Sequence, residues 1–237
     1  MILTIKFTWT TRTPLRIHTG MARAGSVDRT VRARDRKPVL PGEAVKASIR
    51  EAAERILRWQ SKSTLAEKRD TSIPTHPALQ RLFAPESVKG NYSAHASPAR
   101  YYFRSCVASY VPSNDRMEIT STAINDETGT AQDNMLRTIE LWRPGIVFDN
   151  VIETTGGDWR DGKPDRLDLS LLLMAITAVD AIGGGWGVGC GELGLSGLNY
   201  QVSWLPGQAI YAGFSKLAEV QSVFDAIQAD TVPGAAQ

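Results

Sequence analysis

Residues 3–10, LTIKFTWT, alternate apolar and polar side chains near the start of the chain. This alternation has the period of a β-strand with one buried face and one solvated face. The positions of the buried face are Leu3, Ile5, Phe7 and Trp9. The stretch therefore predicts a first strand that lies across a hydrophobic core.

The period changes between Glu43 and Arg58, where apolar residues recur every three or four positions. Such spacing places them on one side of an α-helix. The apolar side comprises Val45, Ile49, Ala52, Ala53 and Ile56, and the side that faces away comprises Glu43, Lys46, Arg50 and Glu54. Pro41-Gly42 precedes the pattern, and a helix that begins there is predicted.

Further along the chain, strands and helices alternate in a way that predicts the fold class. RYYFRSCVASYV reads as a strand, and MLRTIELWRPGIVFDNVIE reads as one or two more, broken at Pro144-Gly145. LDLSLLLMAITAVDAI reads as an apolar helix that ends at Gly183, and LNYQVSW reads as a last alternating strand. The order β-α-β-β-α-β predicts an α+β protein with a ferredoxin-like (RRM-like) core and long insertions. QAIYAGFSKLAEVQSVFDAIQA is interpreted as an extra helix after this core.

Charge is distributed unevenly over the 237 residues. Between Arg12 and Arg58 there are twelve Lys or Arg against five acids, whereas Asn199–Gln237 holds one Lys against three acids. This asymmetry favours a polyanionic partner, and a solvated charged loop is the alternative. The sequence has no apolar run long enough to span a bilayer, so a cytoplasmic protein without membrane contact is expected. Cys106 and Cys190 are predicted to be reduced and inert.

Two segments have the chemistry of phosphate contacts. GGGWGVGCGEL, residues 183–193, holds six glycines in nine residues, which lets backbone amides approach a phosphate or another backbone closely. A tight structural turn is the alternative. In VLPGEAVKASIR, the first helical amides form an anion site, with Lys46 and Arg50 one turn apart. An ordinary solvent-facing helix start is the alternative.

Two further segments connect the predicted elements. AINDETGTAQDNMLRTIEL, residues 123–141, suits a long protruding hairpin, because its middle is polar and contains Gly129. Met135 or Leu136 near its end would wedge between bases, and a mobile surface loop is the alternative. RLFAPESVKGNYSAHASPARYYF reads as a loop that leads into a strand.

These motifs, in this order, resemble the RAMP superfamily of CRISPR proteins, and within it the Cas-seven group, the repeated backbone subunit of type III effector complexes. PLRIHTG follows the first strand, DRTVRARDRKPVLPGEAVKASIR resembles an Asp-containing loop with a Pro-Gly helix start, and RLF resembles a Leu-Phe-Gly motif. The hairpin resembles the thumb of that group, and residues 183–193 resemble its glycine-rich loop. The departures are Glu43, Ala44 and Ala47 at the helix start, Ala84 after Leu-Phe, and Trp186 and Val188 in the glycine loop.

The resemblance implies a single RAMP domain over residues 1–237, with a thumb-like hairpin at 115–145 and a C-terminal extension at 205–237. It implies a guide-RNA (crRNA)-binding subunit whose copies stack into a filament with other CRISPR effector subunits and base-pair the guide with target RNA. Asp28 then cleaves target RNA as a metal-dependent endoribonuclease, with Mg²⁺ as the cofactor. The implied RNA-binding residues are His18, Arg23, Arg29, Arg32, Lys46, Arg50, Met135, Gly184, Gly185 and Gly187.

Two alternatives to target cleavage stay open. The first is a catalytically inactive, architectural crRNA-binding subunit, which differs from the leading hypothesis in the role of Asp28 alone. The second is a metal-independent guide-processing RNase with His18 as its general base, because histidine titrates near neutral pH. Asp35 is the weaker candidate for metal binding, since an ion pair with Arg34 or Arg36 is expected there.

Overall fold

The computed structural model describes residues 2–22, 27, 29–60, 77–83, 101–132, 135–154, 166–203 and 209–214. The helices are α1 (Gly42–Gln60), α2 (Pro77–Phe83) and α3 (Arg166–Thr177). The strands are β1 (Ile2–Thr11), β2 (Ala33–Arg34), β3 (Lys37–Leu40), β4 (Tyr101–Phe103), β5 (Cys106–Val107), β6 (Arg116–Ser121), β7 (Arg137–Trp142), β8 (Val147–Thr154), β9 (Leu193–Ser203) and β10 (Ala209–Phe214).

The main sheet has five antiparallel strands in the order β10-β9-β1-β8-β4. Phe7 at its centre is paired with Asn150 of β8 on one side and Leu198 of β9 on the other. Along the chain, the sheet strands and the two long helices follow one another as β1-α1-β4-β8-α3-β9, with β10 added at the edge. This is the predicted β-α-β-β-α-β order, and the α+β fold class is confirmed.

The hydrophobic core lies between the main sheet and helices α1 and α3. All four apolar residues predicted for the first strand are buried, and Leu3, Ile5 and Trp9 have no exposed surface. The predicted apolar side of α1 is buried as well, except that Ile56 is only partly buried. None of the described helices combines the length and the apolar character needed to cross a membrane.

Two smaller sheets carry the insertions. Strands β2, β3 and β5 form a three-stranded sheet, and β6 and β7 form a two-stranded hairpin. In the hairpin, Arg116 is paired with Trp142 at the base and Ser121 with Arg137 further out. Beyond these strands, Asn125 accepts hydrogen bonds from the Glu127 and Thr128 amides in a turn. The predicted hairpin is therefore present, and residues 133–134 near its end lie outside the described residues.

The apolar helix ends earlier than predicted, at Thr177 instead of Gly183. Beyond that residue, the Ile182 amide donates to the Gly191 carbonyl at 2.9 Å, and the Leu193 amide donates to the Asp180 carbonyl at 2.8 Å. The chain leaves the helix because these backbone groups pair with the segment that enters β9. The apolar pattern continues past Thr177 because Val179 and Ile182 are buried although they lie beyond the helix.

Two other segments differ from the prediction in their secondary structure. Arg81–Phe83, predicted as part of a loop, ends helix α2, where the ring of Phe83 stacks on Phe103 at 5.7 Å. Ala209–Phe214, predicted as the start of a helix, forms strand β10 on the edge of the main sheet. Edge strand β9 offers unpaired backbone groups, and pairing with them outweighs local helix propensity. Residues 215–237, the rest of the predicted helix and extension, lie outside the described residues.

Candidate nucleic-acid interface

The segment after β1, residues 12–22, lies between the hairpin and the glycine-rich loop. On one side, Leu15 and Trp142 exchange backbone hydrogen bonds of 2.9 and 3.0 Å. On the other side, the Gly184 amide donates to the Arg16 carbonyl at 2.9 Å. Three motifs that are far apart in sequence therefore meet on one surface.

Residues 29–32 run back along residues 17–19 of this segment. The Arg32 amide donates to the Ile17 carbonyl at 2.7 Å, and the Thr19 amide donates to the Thr30 carbonyl at 3.1 Å. Arg23 and Asp28, which were predicted from the sequence as functional residues, lie outside the described residues. Val27 is described and is buried, and Arg29 is exposed.

Glu140 of β7 joins both of these segments to the base of the hairpin. Its side chain is only 5% exposed, and one carboxylate oxygen accepts the Val31 amide at 3.0 Å while the other accepts Arg116 at 3.2 Å. Its own amide donates to the Arg29 carbonyl at 3.1 Å. A buried carboxylate needs such partners, because an unpaired one would be costly. Glu140 was not singled out from the sequence, since an acid in an alternating strand reads as an outward-facing residue.

His18 lies on the same junction. Its Nε2–H donates to the backbone carbonyl of Glu140 at 3.1 Å, and the ring is half-buried. Burial is the main cause that lowers the pKa of His18 below its ordinary value. The hydrogen bond to Glu140 raises the pKa, and the nearby positive charges of Arg16 and Arg29 lower it. The ring is therefore neutral at pH 7, and Nδ1 carries its lone pair.

The glycines of the loop at 183–191 have two different roles. A side chain at Gly183 or Gly191 would collide with backbone, since an added Cβ would lie 2.6 Å from the Arg16 carbonyl oxygen or 2.1 Å from that of Ile182. Both residues have positive φ angles, 89° and 80°. Gly187 stands in open space, in a short 3₁₀ turn at Trp186–Val188. The structure therefore supports the tight-turn interpretation for the first two and leaves Gly187 accessible.

The predicted glycines Gly184 and Gly185 lie against the side chain of Arg16. A Cβ added to Gly185 would lie 3.4 Å from Cδ and Nη1 of Arg16, and one added to Gly184 would lie 3.7 Å from Cδ. The Gly184 amide is already used by the Arg16 carbonyl. Arg16 was missed at the sequence level, although it stands in the quoted PLRIHTG motif. We call Arg16, His18, Arg29 and Arg32 the basic loop cluster.

The start of α1 is more closed than the sequence indicated. The Gly42 amide donates to Ser105 Oγ at 3.1 Å, and a Cβ added to Gly42 would lie 2.1 Å from the Phe103 carbonyl oxygen. Gly42 is therefore needed for close packing, and its amide already has a partner. The Gly42 amide is thus not open to an anion, and a site at the other first amides of α1 stays a prediction.

Lys46 and Arg50 on α1 are half-buried and not freely solvated. Arg50 Nε donates to Glu54 at 3.0 Å. Burial, followed by the charge of Arg50, lowers the pKa of Lys46. The positive charge on this side of α1 is therefore partly compensated within the chain.

Three other residues named from the sequence are Met135, Leu136 and Asp35. Met135 near the end of the hairpin is 38% exposed and the adjacent Leu136 is 69% exposed. Asp35 and Arg36 have φ angles of 52° and 64°, as in the two-residue turn of a tight hairpin, here between β2 and β3. Asp35 therefore serves this turn, and in the described part of the chain it forms no salt bridge.

The structure also bears on cysteine and metal chemistry. Burial raises the pKa of the Cys106 thiol to about 11, so the thiol stays protonated at neutral pH. Among the described ranges, which omit Asp28, no three His, Cys, Asp or Glu side chains lie close enough together to hold a metal ion.

Comparison with known proteins gives a family and a structural relative. Residues 8–193 match the RAMP superfamily. No curated protein sequence matches the chain. The fold is similar to a chain in the cryo-EM structure of the type III-B Cmr-beta bound to cognate target RNA, with a TM-score of 0.55 and 14% identity over 84% of this chain and 60% of that one. At this identity the likeness concerns the fold. Since the superfamily match covers more than half of the sequence, this chain belongs to the RAMP superfamily.

Proposed function

We propose that this chain is a crRNA-binding backbone subunit of a type III CRISPR effector complex, and that it cleaves target RNA through Asp28. Copies of the chain stack along the guide with other effector subunits, and base pairing between guide and target supplies sequence recognition. The similarity to a chain of the target-RNA-bound Cmr-beta structure supports this proposal at the level of the fold.

One observation carries the proposal: the basic loop cluster lies where the glycine-rich loop and the base of the hairpin converge. Backbone hydrogen bonds join Arg16 to Gly184 and Arg29 to Glu140, so separate motifs are fixed on one surface. Arginines bind phosphates with a planar fork of donors, and exposed glycine backbone allows a nucleic acid strand to approach. Such a surface suits the backbone of an RNA strand.

The hairpin extends from this surface and supplies a different type of contact. Met135 and Leu136 expose apolar side chains near its end. Exposed apolar side chains on protruding elements insert between bases in other nucleic-acid complexes. We propose that this end interrupts the stacked bases while the basic loop cluster holds the backbone.

The proposed cleavage depends on the carboxylate of Asp28. Its oxygens are of the kind that Mg²⁺ prefers, and one or two carboxylates together with substrate phosphates commonly hold this ion. A bound Mg²⁺ supplies charge stabilisation at the scissile phosphate. In the proposal, Asp28 and the RNA itself provide the oxygen ligands. The flanking arginines hold the strand.

The guide-processing alternative restricts His18 to one ring nitrogen. His18 Nε2–H is directed to the Glu140 carbonyl, so only Nδ1 is available as a general base. Incubating the isolated chain with repeat RNA tests this alternative. Cleavage of that RNA by the wild type, lost in His18→Asn, would favour it over the backbone-subunit proposal.

The test of cleavage compares two aspartates in the same basic stretch. We expect Asp28→Asn to retain RNA binding and complex assembly and to abolish target-RNA cleavage in Mg²⁺. Asp35→Asn is the matched control, because it removes the same charge from a turn position whose φ of 52° suits asparagine. The measurement is the single-turnover cleavage rate of labelled target RNA by the assembled complex.

Two results would change the conclusion. If Asp28→Asn complexes cut at the wild-type rate, Asp28 has no role in cleavage. If neither the wild type nor the variants cut target RNA while all of them bind the guide, the architectural subunit is the correct alternative.

A further inference from the structure

Arg16 differs from the other half-buried arginines of the described chain. Four arginines are half-buried there, and three of them form an ion pair with an acid: Arg50 with Glu54, Arg81 with Asp168, and Arg116 with Glu140. Among the described residues, Arg16 has no carboxylate within salt-bridge distance. A guanidinium that loses water without gaining an acid is an energetic cost to the free protein.

The surroundings of Arg16 include a second guanidinium. The neighbouring His18 and Arg29 belong to the same cluster, and the positive charges of Arg16 and Arg29 both lower the pKa of His18. The two guanidinium charges therefore raise the electrostatic potential at His18. A negative charge from outside the chain would lower that potential.

The glycine-rich loop sets the position of Arg16. Its side chain lies along Gly184 and Gly185, where a Cβ added to Gly185 would be 3.4 Å from Nη1. Its carbonyl is held by the Gly184 amide at 2.9 Å. The backbone of Arg16 is thus fixed before any ligand binds, which reduces the entropy lost on binding.

We infer that Arg16, supported by Gly184 and Gly185, is a binding site for a phosphodiester of RNA. This inference rests on the proposed RNA-binding function and assigns it a specific residue. The planar guanidinium suits two oxygens of one phosphate. The glycine-rich loop then acts by placing this arginine, in addition to any contact made by its own amides.

Arg12 provides a matched control four residues away. It also lies along a glycine, since a Cβ added to Gly194 would be 2.9 Å from its Nε, but it pairs with Glu192 at 3.6 Å. Arg12 and Arg16 therefore share residue type, segment and glycine contact. They differ in whether an acid is present and in exposure, since the side chain of Arg12 is 65% exposed and Arg16 is half-buried.

The experiment measures the affinity of the full chain for fluorescein-labelled oligouridylate at several salt concentrations. We expect Arg16→Gln to weaken binding and to reduce the slope of log K against log salt by about 0.7, the value for one phosphate contact on a single strand. Arg16→Lys should keep most of the slope, because it keeps the charge. Arg12→Gln should leave the slope unchanged.

Thermal unfolding separates a binding role from a structural one. Because the unbound Arg16 has no acid partner, Arg16→Met should leave the melting temperature unchanged or raise it slightly. A marked fall in that temperature would show that Arg16 stabilises the fold and would overturn the inference. An Arg16→Gln slope equal to that of the wild type would also overturn it.

The results distinguish this inference from the proposed function. If the wild type does not bind oligouridylate or guide RNA, both are wrong. If the wild type binds and Arg16→Gln binds equally well, only the phosphate site at Arg16 is wrong. If Arg16→Gln lowers the slope but no effector complex assembles, the phosphate site stands and the proposed function fails.

Discussion

The sequence predicted RNA contacts both for Arg29 and Arg32 of the basic loop cluster and for the start of α1, but the charges of these two regions have different partners in the structure. On α1, Arg50 is paired with Glu54 and the Gly42 amide is bound by Ser105. In the basic loop cluster, Arg29 and Arg32 are exposed. The carboxylate of Glu140 at the same junction already accepts hydrogen bonds from the Val31 amide and Arg116. The number of basic residues in a segment therefore says less about ligand binding than the partners these residues already have.

The largest expected effect concerns the two acids, Glu140 and Glu54. We expect Glu140→Gln to lower the free energy of unfolding by about 1–3 kcal/mol, because the amide nitrogen must face either the Val31 amide or Arg116 and leaves a donor unpaired. Glu54→Gln should cost less than about 1 kcal/mol, since its ion pair with Arg50 is partly solvated. Urea denaturation measures both values, and equal losses would contradict the distinction between the two regions.

The next effect compares the cations of the two regions. We expect the double variant Arg29→Gln/Arg32→Gln to reduce the salt slope of oligouridylate binding by about 1.4, because we propose that each exposed arginine contacts one phosphate, at about 0.7 per contact. Lys46→Gln/Arg50→Gln should reduce the slope less, since Arg50 is engaged with Glu54. A larger reduction from the α1 pair would place the main RNA contact on the helix.

The smallest expected effect is the pH dependence that His18 contributes to stability. Because its pKa in the folded chain lies below the ordinary value of 6.5, the unfolded chain binds the proton first as the pH falls. Stability is therefore lost as the pH falls from about 6.5 to the folded-state pKa, and below that pKa no further loss comes from His18. His18→Gln should flatten the unfolding free energy in this window relative to the wild type.

An NMR titration of the His18 ring tests the cause of this shift. Arg16→Met should raise the pKa of His18, because one of the cations that lowers it is removed. An unchanged pKa in that variant would mean that Arg16 does not contribute to the shift, and would weaken the electrostatic argument for the phosphate site.

The sequence predicted those parts of the fold in which local periodicity and tertiary packing agree. The alternation of Leu3 to Trp9 and the helical period from Val45 to Ala53 each follow from one buried face, so both were readable without the structure. The break at Pro144-Gly145 was also predicted, because proline and glycine interrupt a strand locally. These elements led to the correct β-α-β-β-α-β order.

The errors occurred where long-range backbone pairing decides the outcome. The chain leaves α3 at Thr177 because Asp180 and Ile182 bond to the segment before β9, and residues 209–214 form a strand because β9 offers an edge. Neither partner is visible in a local window of sequence. The same holds for Glu140, whose burial depends on Val31 and Arg116 from two other parts of the chain.

The sequence by itself determined strand β1, most of helix α1 and the residue types of the proposed polyanion-binding surface, because these depend on spacing along one chain segment. Only the tertiary structure decided which cations have acids beside them. Arg12, Arg16 and Arg50 are the same residue type, yet among the described residues Arg12 and Arg50 each pair with a carboxylate and Arg16 does not. The distance to an acid arises from packing between segments far apart in the chain, and that distance sets the electrostatic cost that a bound phosphate can relieve.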